Sequence, residues 1–319
     1  METESLAHPR GRLIAAFGAI YFIWGSTYLA IAWAIQTIPP FLMAGSRFLL
    51  AGTALYLWAT VSGAERPRPA QWAAATVLGA LFFLIGNGTV VWVEQSLASG
   101  LTALIIAMVS VWTALLEWLR PGGSRPSSMI IAGIVLGFLG VALLVVPGRV
   151  GGHPVDHRAV LMLMGSTFAW ALASVSSRHA NLPSSTVMAA GMEMLAGGLL
   201  LTIVGLATGE LARFDPAAVT GRAVAAWLYL TVFGSIVAFT AFAWLLKVTS
   251  PNKVATAGYV NPMVAVLLGW VLGGESLSLR SLTASLIIVL GVVLIITGRQ
   301  LSLTRLRPRW FSPRQASAD

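Results

Sequence analysis

The chain has 319 residues, of which 57% are hydrophobic and 10% charged, and its mean hydropathy is +0.83. Because a soluble domain is about 25% charged, this composition excludes an ordinary soluble enzyme and requires lipid around the chain. The net charge of +9 would suit nucleic acid, but the basic residues sit in short breaks between apolar runs and form no basic face, so no nucleic-acid partner is expected.

Apolar runs long enough to cross a bilayer take up most of the chain. A transmembrane helix needs about 20 mostly apolar residues, and breaks rich in Pro and Gly separate the runs. The runs are 13–35, 41–62, 71–94, 100–119, 127–147, 158–178, 185–208, 222–247, 252–273 and 279–298. The predicted fold is an all-α integral membrane protein with ten transmembrane helices.

The distribution of Lys and Arg predicts the orientation of these helices. With the N-terminus inside, the inner segments hold fourteen of the 20 Lys and Arg residues, and the outer loops hold five. Because cytosolic loops carry an excess of positive charge, both termini are predicted to be cytosolic. These are the N-terminal segment 1–12 and a basic tail, 299–319.

The two halves of the chain, 13–147 and 158–298, resemble each other across a predicted outer linker, 148–157. An offset of 146 residues pairs Trp24 with Trp170, Gly45 with Gly191, Arg47 with Glu193, and Gly52 with Gly198. Each half has five spans, an odd number, so the second half must enter the bilayer in the opposite orientation. The sequence therefore predicts two inverted five-helix repeats, which transporters use to rock around a site near the midplane.

Two ionisable residues lie well inside predicted spans, Arg47 in the second and Glu193 in the seventh. Such a group costs at least about 2.5–3.5 kcal/mol unless it faces a cavity or a partner. In one interpretation both face a central pathway, where Arg47 attracts a carboxylate and Glu193 attracts an amine or carries a proton. In the alternative, each is a structural charge held by carbonyls and hydroxyls at a helix contact.

Aromatic and hydroxyl side chains repeat at helical spacing in the first and sixth spans. Trp24 and Tyr28 share one face of the first span, and Trp170 and Ser174 share one face of the sixth. Indoles and hydroxyls away from the interface are typical of a lined cavity; an interfacial aromatic belt is the alternative, which fits Tyr28 best. An aromatic cavity with sparse charge suits an apolar, aromatic or organic-cation solute.

Irregular sequence in spans three, four and nine adds further candidates for the cavity wall. Asn87 stands between two glycines, and Tyr259 and Asn261 precede Pro262, which removes a backbone hydrogen bond in mid-span. Ser110 is the first-half counterpart of Pro262. We expect these polar side chains to line the cavity, with a gating hinge or a packing kink as alternative uses of Pro262.

Metal, redox and hydrolytic chemistry lack their residues in this sequence. There is no cysteine, and the four histidines (His8, His153, His157 and His179) lie outside the apolar runs, so no metal site is predicted. No Walker phosphate loop, HExxH, GxSxG or calcium loop occurs. The sequence therefore predicts no cofactor and no enzyme.

In combination, several motifs resemble the drug/metabolite transporter superfamily, and within it the EamA-type exporters of the YedA-like branch. The motifs lie in Ile23–Tyr28, Pro39–Phe48, Gly86–Gly88, Met188–Ala196 and Tyr259–Glu275, and the resemblance covers about residues 13–298. It implies ten helices, cytosolic termini, a central cavity, and export of small metabolites, amino acids or toxic compounds across a bacterial inner membrane. Ser110 departs from the family, which often has a proline at that position.

The sequence thus predicts a secondary transporter that exports a small organic solute by alternating access, with the bilayer and the solute as its partners. An uptake carrier or facilitator is the alternative within transport, and a non-transporting membrane receptor or assembly protein is the alternative outside it. Small-residue spacings such as Gly133 to Gly137 favour close packing within the chain, with a homodimer as their second use.

Overall fold

The computed structural model describes residues 10–120, 125–145, 149–150, 153–154, 156–249, 254, 256–275 and 278–305. Parts of the predicted termini and linker, and the side chain of Tyr259, lie outside the described residues. The described residues form ten long helices: α1 (Arg10–Ala34), α2 (Pro40–Val61), α3 (Pro69–Val93), α4 (Ser99–Leu119), α5 (Ser128–Val145), α6 (His157–Ser176), α7 (Thr186–Ala207), α8 (Gly221–Leu245), α9 (Ala257–Val271) and α10 (Leu279–Arg305).

The predicted all-helical membrane protein is confirmed. Seven of these helices, α1 to α4 and α6 to α8, are long and apolar enough to cross a bilayer. The other three contain shorter apolar stretches, Ser128–Leu143, Val260–Val271 and Leu282–Gly298. α10 continues to Arg305, beyond the predicted end at 298, because hydrophobicity marks where lipid contact ends and not where helical backbone ends.

Small elements occupy the connections. Arg149–Val150 pairs with His153–Pro154 in a short antiparallel ladder within the predicted linker. A one-turn helix, Glu210–Arg213, follows α7. For orientation, the Arg10 end of the bundle is the end where α1 begins, and the Pro40 end is the end where α2 begins.

α2 and α7 cross where both helices carry glycine. A methyl group built on Gly52 would lie 2.9 Å from the carbonyl oxygen of Gly191, and one built on Gly45 would lie 3.1 Å from that of Gly198. Both reverse distances, from Gly191 to Gly52 and from Gly198 to Gly45, are 3.1 Å. Since little more than hydrogen fits between the backbones, these four residues, the glycine seam, let two antiparallel helices approach closely.

α5 and α10 meet in a similar way. A methyl group on Gly133 would lie 2.5 Å from the carbonyl oxygen of Gly291, and the reverse distance is 2.8 Å. Further along the same pair of helices, a methyl group on Gly140 would lie 3.3 Å from the carbonyl oxygen of Ala284. The small-residue spacing in α5 therefore serves a contact within the chain.

Three helices change to π geometry in mid-span. The π segments are Ala19–Ile23 in α1, Ala80–Asn87 in α3 and Leu230–Val237 in α8. π turns reorient the side chains around them and are frequent at functional sites. α4 is interrupted by a turn at 107–108, whereas α9 stays helical through Pro262.

Two carboxylates from the second half bind helix N-termini of the first half at the Pro40 end. Glu275 accepts hydrogen bonds from the amide and hydroxyl of Ser99 (2.7 and 2.5 Å) and from the amide of Gly100 (3.1 Å). Glu210 accepts from the amides of Phe41 (3.1 Å) and Leu42 (2.9 Å). A carboxylate is stabilised at a helix N-terminus by the free N–H groups and the helix dipole.

Candidate functional site

A central cavity of about 210 Å³ lies between helices of both halves. At the Arg10 end its lining includes Arg178, an exposed residue just after α6, and Val254, just before α9. At the Pro40 end the lining extends to Ile31 and Val90, while residues beyond them, such as Val93, are buried. The cavity is therefore open towards the Arg10 end and closed towards the Pro40 end.

The structure brings most of the predicted site residues together. The following predicted residues line the cavity: Trp24, Tyr28, Arg47, Asn87, Ser110, Trp170, Ser174 and Asn261. Glu193 does not line it; its neighbour Met194 does. Tyr259 belongs to α9, but its side chain lies outside the described residues.

An aromatic wall forms one side of the cavity. The indole rings of Trp24 and Trp170 meet edge to face with centroids 6.2 Å apart, and the Phe242 ring is 5.0 Å from Trp24. Phe239 joins the wall through its contact with Phe242 at 6.0 Å. Edge-to-face and tilted pairs of this kind stabilise one another by about 0.5–1.5 kcal/mol each beyond their burial, so the wall is preformed.

The two indoles of this wall are held by different means. Trp24 Nε1 donates to the carbonyl oxygen of Gly234 at 3.2 Å, in the π segment of α8. Trp170 lies against Gly86 in the π segment of α3, where an added methyl group would be 3.0 Å from the indole. No described residue accepts a hydrogen bond from Trp170 Nε1. The Trp24 indole is therefore oriented by a bond, and that of Trp170 by packing.

Arg47 brings a buried positive charge to the same cavity. Its side chain is 4% exposed, and its Nε donates to the hydroxyl of Ser235 at 2.9 Å. Ser235 in turn donates to the carbonyl oxygen of Leu230 at 3.2 Å, and the guanidinium carbon lies 4.3 Å above the centre of the Phe48 ring. Nη1 is buried and has no hydrogen-bond partner among the described residues. Only Nε of the guanidinium thus forms a hydrogen bond with a described residue, and both terminal nitrogens are left without a partner among those residues.

Glu193 is also buried, at 5% exposure, but it lies on a different side of α7. Its backbone packs against Gly79 of α3, where even a methyl group would collide with the Glu193 carbonyl oxygen. None of the described residues forms a hydrogen bond or ion pair with its carboxylate. In this conformation Glu193 therefore touches neither Arg47 nor the cavity.

Glu94, directly after α3, is a further buried carboxylate. It is 7% exposed, and neither oxygen has a hydrogen-bond partner among the described residues. It lies within electrostatic reach of Tyr28, Arg47 and Glu275. Hydrophobicity alone did not predict this burial, because Glu94 lies directly after the end of α3.

Polar side chains of the cavity brace all three π segments. Asn87 Nδ2 donates to the carbonyl oxygen of Phe82 at 3.4 Å, as Ser235 does to Leu230. With its amide oriented so that the nitrogen faces the backbone of α1, Asn261 donates to the carbonyl oxygens of Ile20 (2.9 Å) and Tyr21 (3.0 Å). These side chains therefore satisfy backbone carbonyls while they face the cavity.

The charge of the cavity lining has one sign. Among the described lining residues the charged side chains are Arg47 and Arg178, and no carboxylate belongs to the lining. Arg178 Nη1 forms an ion pair with Glu117 at 3.3 Å at the Arg10 end, which leaves Arg47 as the unpaired interior charge. The described residues include no cluster of three or more His, Asp or Glu that could hold a metal ion.

Sequence reasoning missed the lining residues of α8, three of which carry side chains beyond a hydrogen. Ser235, Phe239 and Phe242 all face the cavity, and their spacing of four and three residues places them on one helix face. That spacing was readable from the sequence. Sequence analysis also missed Phe48, next to Arg47, since a phenylalanine in an apolar run carries no signal of its own.

The profile of the family described as EamA-like transporter family matches the chain twice, over residues 12–146 and 157–297. The chain is 38% identical to the uncharacterized inner membrane transporter YedA of Escherichia coli (strain K12), over 91% of this chain and 92% of that protein. It is 26% identical to the uncharacterized transporter YvbV of Bacillus subtilis (strain 168), over 92% and 94% of the two chains.

Among solved structures, one crystal structure matches with a TM-score of 0.64 at 22% identity, covering 92% of this chain and 99% of the other. At that identity the match shows the fold alone. Together with the apolar helices, the relatives make this chain a multi-pass protein of the inner membrane.

Proposed function

Because the chain belongs to the EamA-like transporter family, we propose that it is a secondary active transporter that exports small organic solutes across the inner membrane by alternating access. One observation carries the proposal. A preformed aromatic cavity between the two halves is open at one end of the bundle and closed at the other. A transporter needs this arrangement in each of its end states.

Two inverted five-helix repeats are part of this proposal, and two observations support them. The family profile matches each half once. The offset of 146 residues makes Gly191 the counterpart of Gly45, and Gly198 the counterpart of Gly52. The contact between Gly45 and Gly198 therefore has the contact between Gly191 and Gly52 as its counterpart, and both contacts are present. An offset of 151 residues relates Gly133–Gly291 to Ala284–Gly140 in the same way. Contacts that map onto themselves are expected of an approximate twofold axis between inverted repeats.

The predicted orientation of the chain assigns the open end of the cavity to one side of the membrane, and the proposal of export adds that the solute loads there. With the termini in the cytosol, as the distribution of Lys and Arg predicts, the open Arg10 end faces the cytosol. The cavity then loads from the inside and releases its solute when the Pro40 end opens. The carboxylate contacts of Glu210 and Glu275 tie the halves together at the Pro40 end, so they are the contacts that must loosen for release.

The proposed roles of the site residues follow from where they lie. Trp24, Trp170 and Phe242 hold the apolar body of the solute, and Tyr28, Ser110 and Ser174 offer hydroxyls along the lining. Glu193, buried but outside the lining, is the proposed proton carrier, because a carboxyl without an ion partner can change its protonation as the helices around it move.

Flux in liposomes tests the proposal. Purified protein is reconstituted with an imposed pH gradient, and movement of radiolabelled amino acids, organic acids, organic cations and sugars is measured in parallel vesicles. Accumulation of one solute against its gradient supports secondary active transport. Equilibration without accumulation indicates a facilitator, and absence of flux for the whole panel favours the non-transporting alternative.

A further inference from the structure

We infer that the solute carried by this cavity is a monocarboxylate with an aromatic or apolar body, and that Arg47 binds its carboxylate through Nη2. The inference rests on the proposed transport function and adds the chemical class of the solute. It depends on how Arg47 is held, on what its unused donors face, and on the charge of the surrounding lining.

Arg47 is fixed before any ligand arrives. The bond from Nε to Ser235, and the bond from Ser235 to the carbonyl oxygen of Leu230, set the plane of the guanidinium. The Phe48 ring covers one face of that plane. A side chain held at two points in this way loses little further freedom when it binds a ligand.

The terminal nitrogens of the Arg47 guanidinium have no hydrogen-bond partner among the described residues. Nη1 is buried and unpaired, and an unpaired charged donor away from water is costly. Glu94, the acid within electrostatic reach, forms neither a hydrogen bond nor an ion pair with Arg47 among the described residues, and it does not line the cavity. Nη2 also forms no hydrogen bond with a described residue and, unlike Nη1, is not fully buried, so a ligand oxygen in the cavity can bond to it.

The charge and the lining together select the ligand. Positive charge in a low-dielectric cavity attracts an anion and repels an organic cation, and the described residues of the lining include no carboxylate that would reverse this. One unpaired cation matches one negative charge, which a carboxylate carries. The aromatic wall of Trp24, Trp170 and Phe242 on the same cavity suits a planar apolar body. This preference differs from the organic cations that aromatic walls alone would suit.

The test compares three small molecules that share one aromatic body and differ in charge: phenylacetate, phenylacetamide and phenethylamine. Their dissociation constants are measured by isothermal titration with the purified full-length protein in detergent. A charge-assisted hydrogen bond is about twice as strong as a neutral one, so phenylacetate should bind about tenfold or more tighter than phenylacetamide. Phenethylamine should bind more weakly than either.

Variants of Arg47 locate the preference. Arg47→Gln should remove the tenfold advantage of phenylacetate and leave phenylacetamide unchanged, while Arg47→Lys should keep the preference for the anion with weaker binding. The matched control is Arg222→Gln, because Arg222 is exposed and stacks on Trp33 outside the cavity lining; it should leave all three constants unchanged. If Arg47→Gln does not fold, Ser235→Ala, which frees the guanidinium, should weaken phenylacetate selectively.

The possible outcomes separate this inference from the proposed function. If the three molecules bind wild-type protein equally, or if Arg47→Gln keeps the preference for phenylacetate, the inference is wrong. If the protein transports a neutral or cationic solute while carboxylates neither bind nor compete, the inference is also wrong, but the transport function stands. If phenylacetate binds through Arg47 and no solute crosses liposomes, the carboxylate site stands and the transport function falls.

Discussion

The two halves of the chain place opposite charges at matched positions of α2 and α7, and the two charges have different surroundings. Arg47 and Glu193 are 4% and 5% exposed, on helices that meet along the glycine seam. Arg47 is bonded to Ser235 on the cavity wall, whereas Met194 takes the wall position beside Glu193. Equivalent backbone positions can therefore hold side chains with different roles. The first half places a base on the cavity wall, and the second half places a buried acid away from that wall.

The backbones themselves match in some places and differ in others. α3 and α8 each contain a π segment of eight residues, and the two begin 150 residues apart, at Ala80 and Leu230. α1 has a π segment at Ala19–Ile23, but its counterpart α6 is a regular α-helix. The two halves also hold their tryptophans by different means, Trp24 of α1 by a hydrogen bond and Trp170 of α6 by packing.

The glycine seam is the feature that both halves share, and a large side chain placed in it should reduce the stability of the protein more than any of the other substitutions proposed. At Gly191 a methyl group would already lie 2.8 Å from the backbone nitrogen of Tyr56, so the leucine of Gly191→Leu must force the helices apart. Overpacking costs about 1–3 kcal/mol where side chains can adjust, and here backbone must move. We expect the yield of monodisperse protein to collapse.

The matched control for the seam is Gly165→Leu on α6. Gly165 is exposed and has no atom within 4 Å of an added methyl group. Size-exclusion profiles and melting curves of this variant should stay close to wild type. A Gly191→Leu protein that melts like the control would show that the seam is not what holds α2 against α7.

Removal of the carboxylate contacts at the Pro40 end should have the next largest effect on stability. Glu275→Ala removes three hydrogen bonds from the start of α4, and Glu210→Ala removes two from the start of α2. Loss of a helix cap costs about 0.5–2 kcal/mol, so both variants should melt at lower temperature, with Glu275→Ala the less stable.

Loss of the Glu275 contacts should also make the cavity more accessible from the Pro40 end. The chain has no cysteine, so Val90→Cys introduces a single thiol on the cavity wall near the Pro40 end. With Glu275→Ala added, an impermeant thiol reagent should label this cysteine faster from the Pro40 side of oriented vesicles. Unchanged labelling would mean that Glu275 stabilises α4 without holding that end closed.

Replacement of either tryptophan by phenylalanine sharpens the contrast between hydrogen bonding and packing. Trp24→Phe loses the bond to Gly234, whereas Trp170 donates to no described residue, so Trp170→Phe loses packing alone. A net hydrogen bond contributes about 0.5–1.5 kcal/mol. Trp24→Phe should therefore weaken phenylacetate binding a few-fold more than Trp170→Phe in parallel titrations. Equal losses of affinity in the two variants would show that the hydrogen bond from Trp24 to Gly234 contributes to folding and not to binding.

The sequence predicted the long helices well because apolar length is what a bilayer requires. Predicted and observed ends differ by few residues, except at α9, whose helix begins later than predicted, and at α10, whose helix runs on to Arg305. The π segments could not be foreseen, since their register depends on partners such as Asn261 on another helix. Pattern reasoning also gave no way to see that Gly45 and Gly52 pack against the very helix that carries their counterparts.

The cavity residues were predictable where helical spacing marked them, as at Trp24 and Trp170. The same reasoning would have found Ser235 and Phe239. It could not place Glu193, because a position within a span gives depth but not direction, and one residue further along α7 the side chain faces the cavity. Which of two adjacent residues lines a wall is set by how the helix is rotated, and that rotation is fixed by contacts such as the one with Gly79.

Glu193→Gln should have the smallest effect on binding and a specific effect on coupling. Because Glu193 lies outside the cavity lining, the dissociation constant for phenylacetate should stay within about twofold of wild type, well below a 1.4 kcal/mol (tenfold) change. A glutamine cannot release a proton, so accumulation driven by a pH gradient should be lost, while exchange of labelled for unlabelled solute continues. Arg47→Gln should show the opposite pattern, with weak binding of the carboxylate. If Glu193→Gln still concentrates solute against its gradient, the proton is carried elsewhere. Glu94, which is buried within electrostatic reach of Arg47 and has no hydrogen-bond partner among the described residues, then becomes the carboxyl to change next.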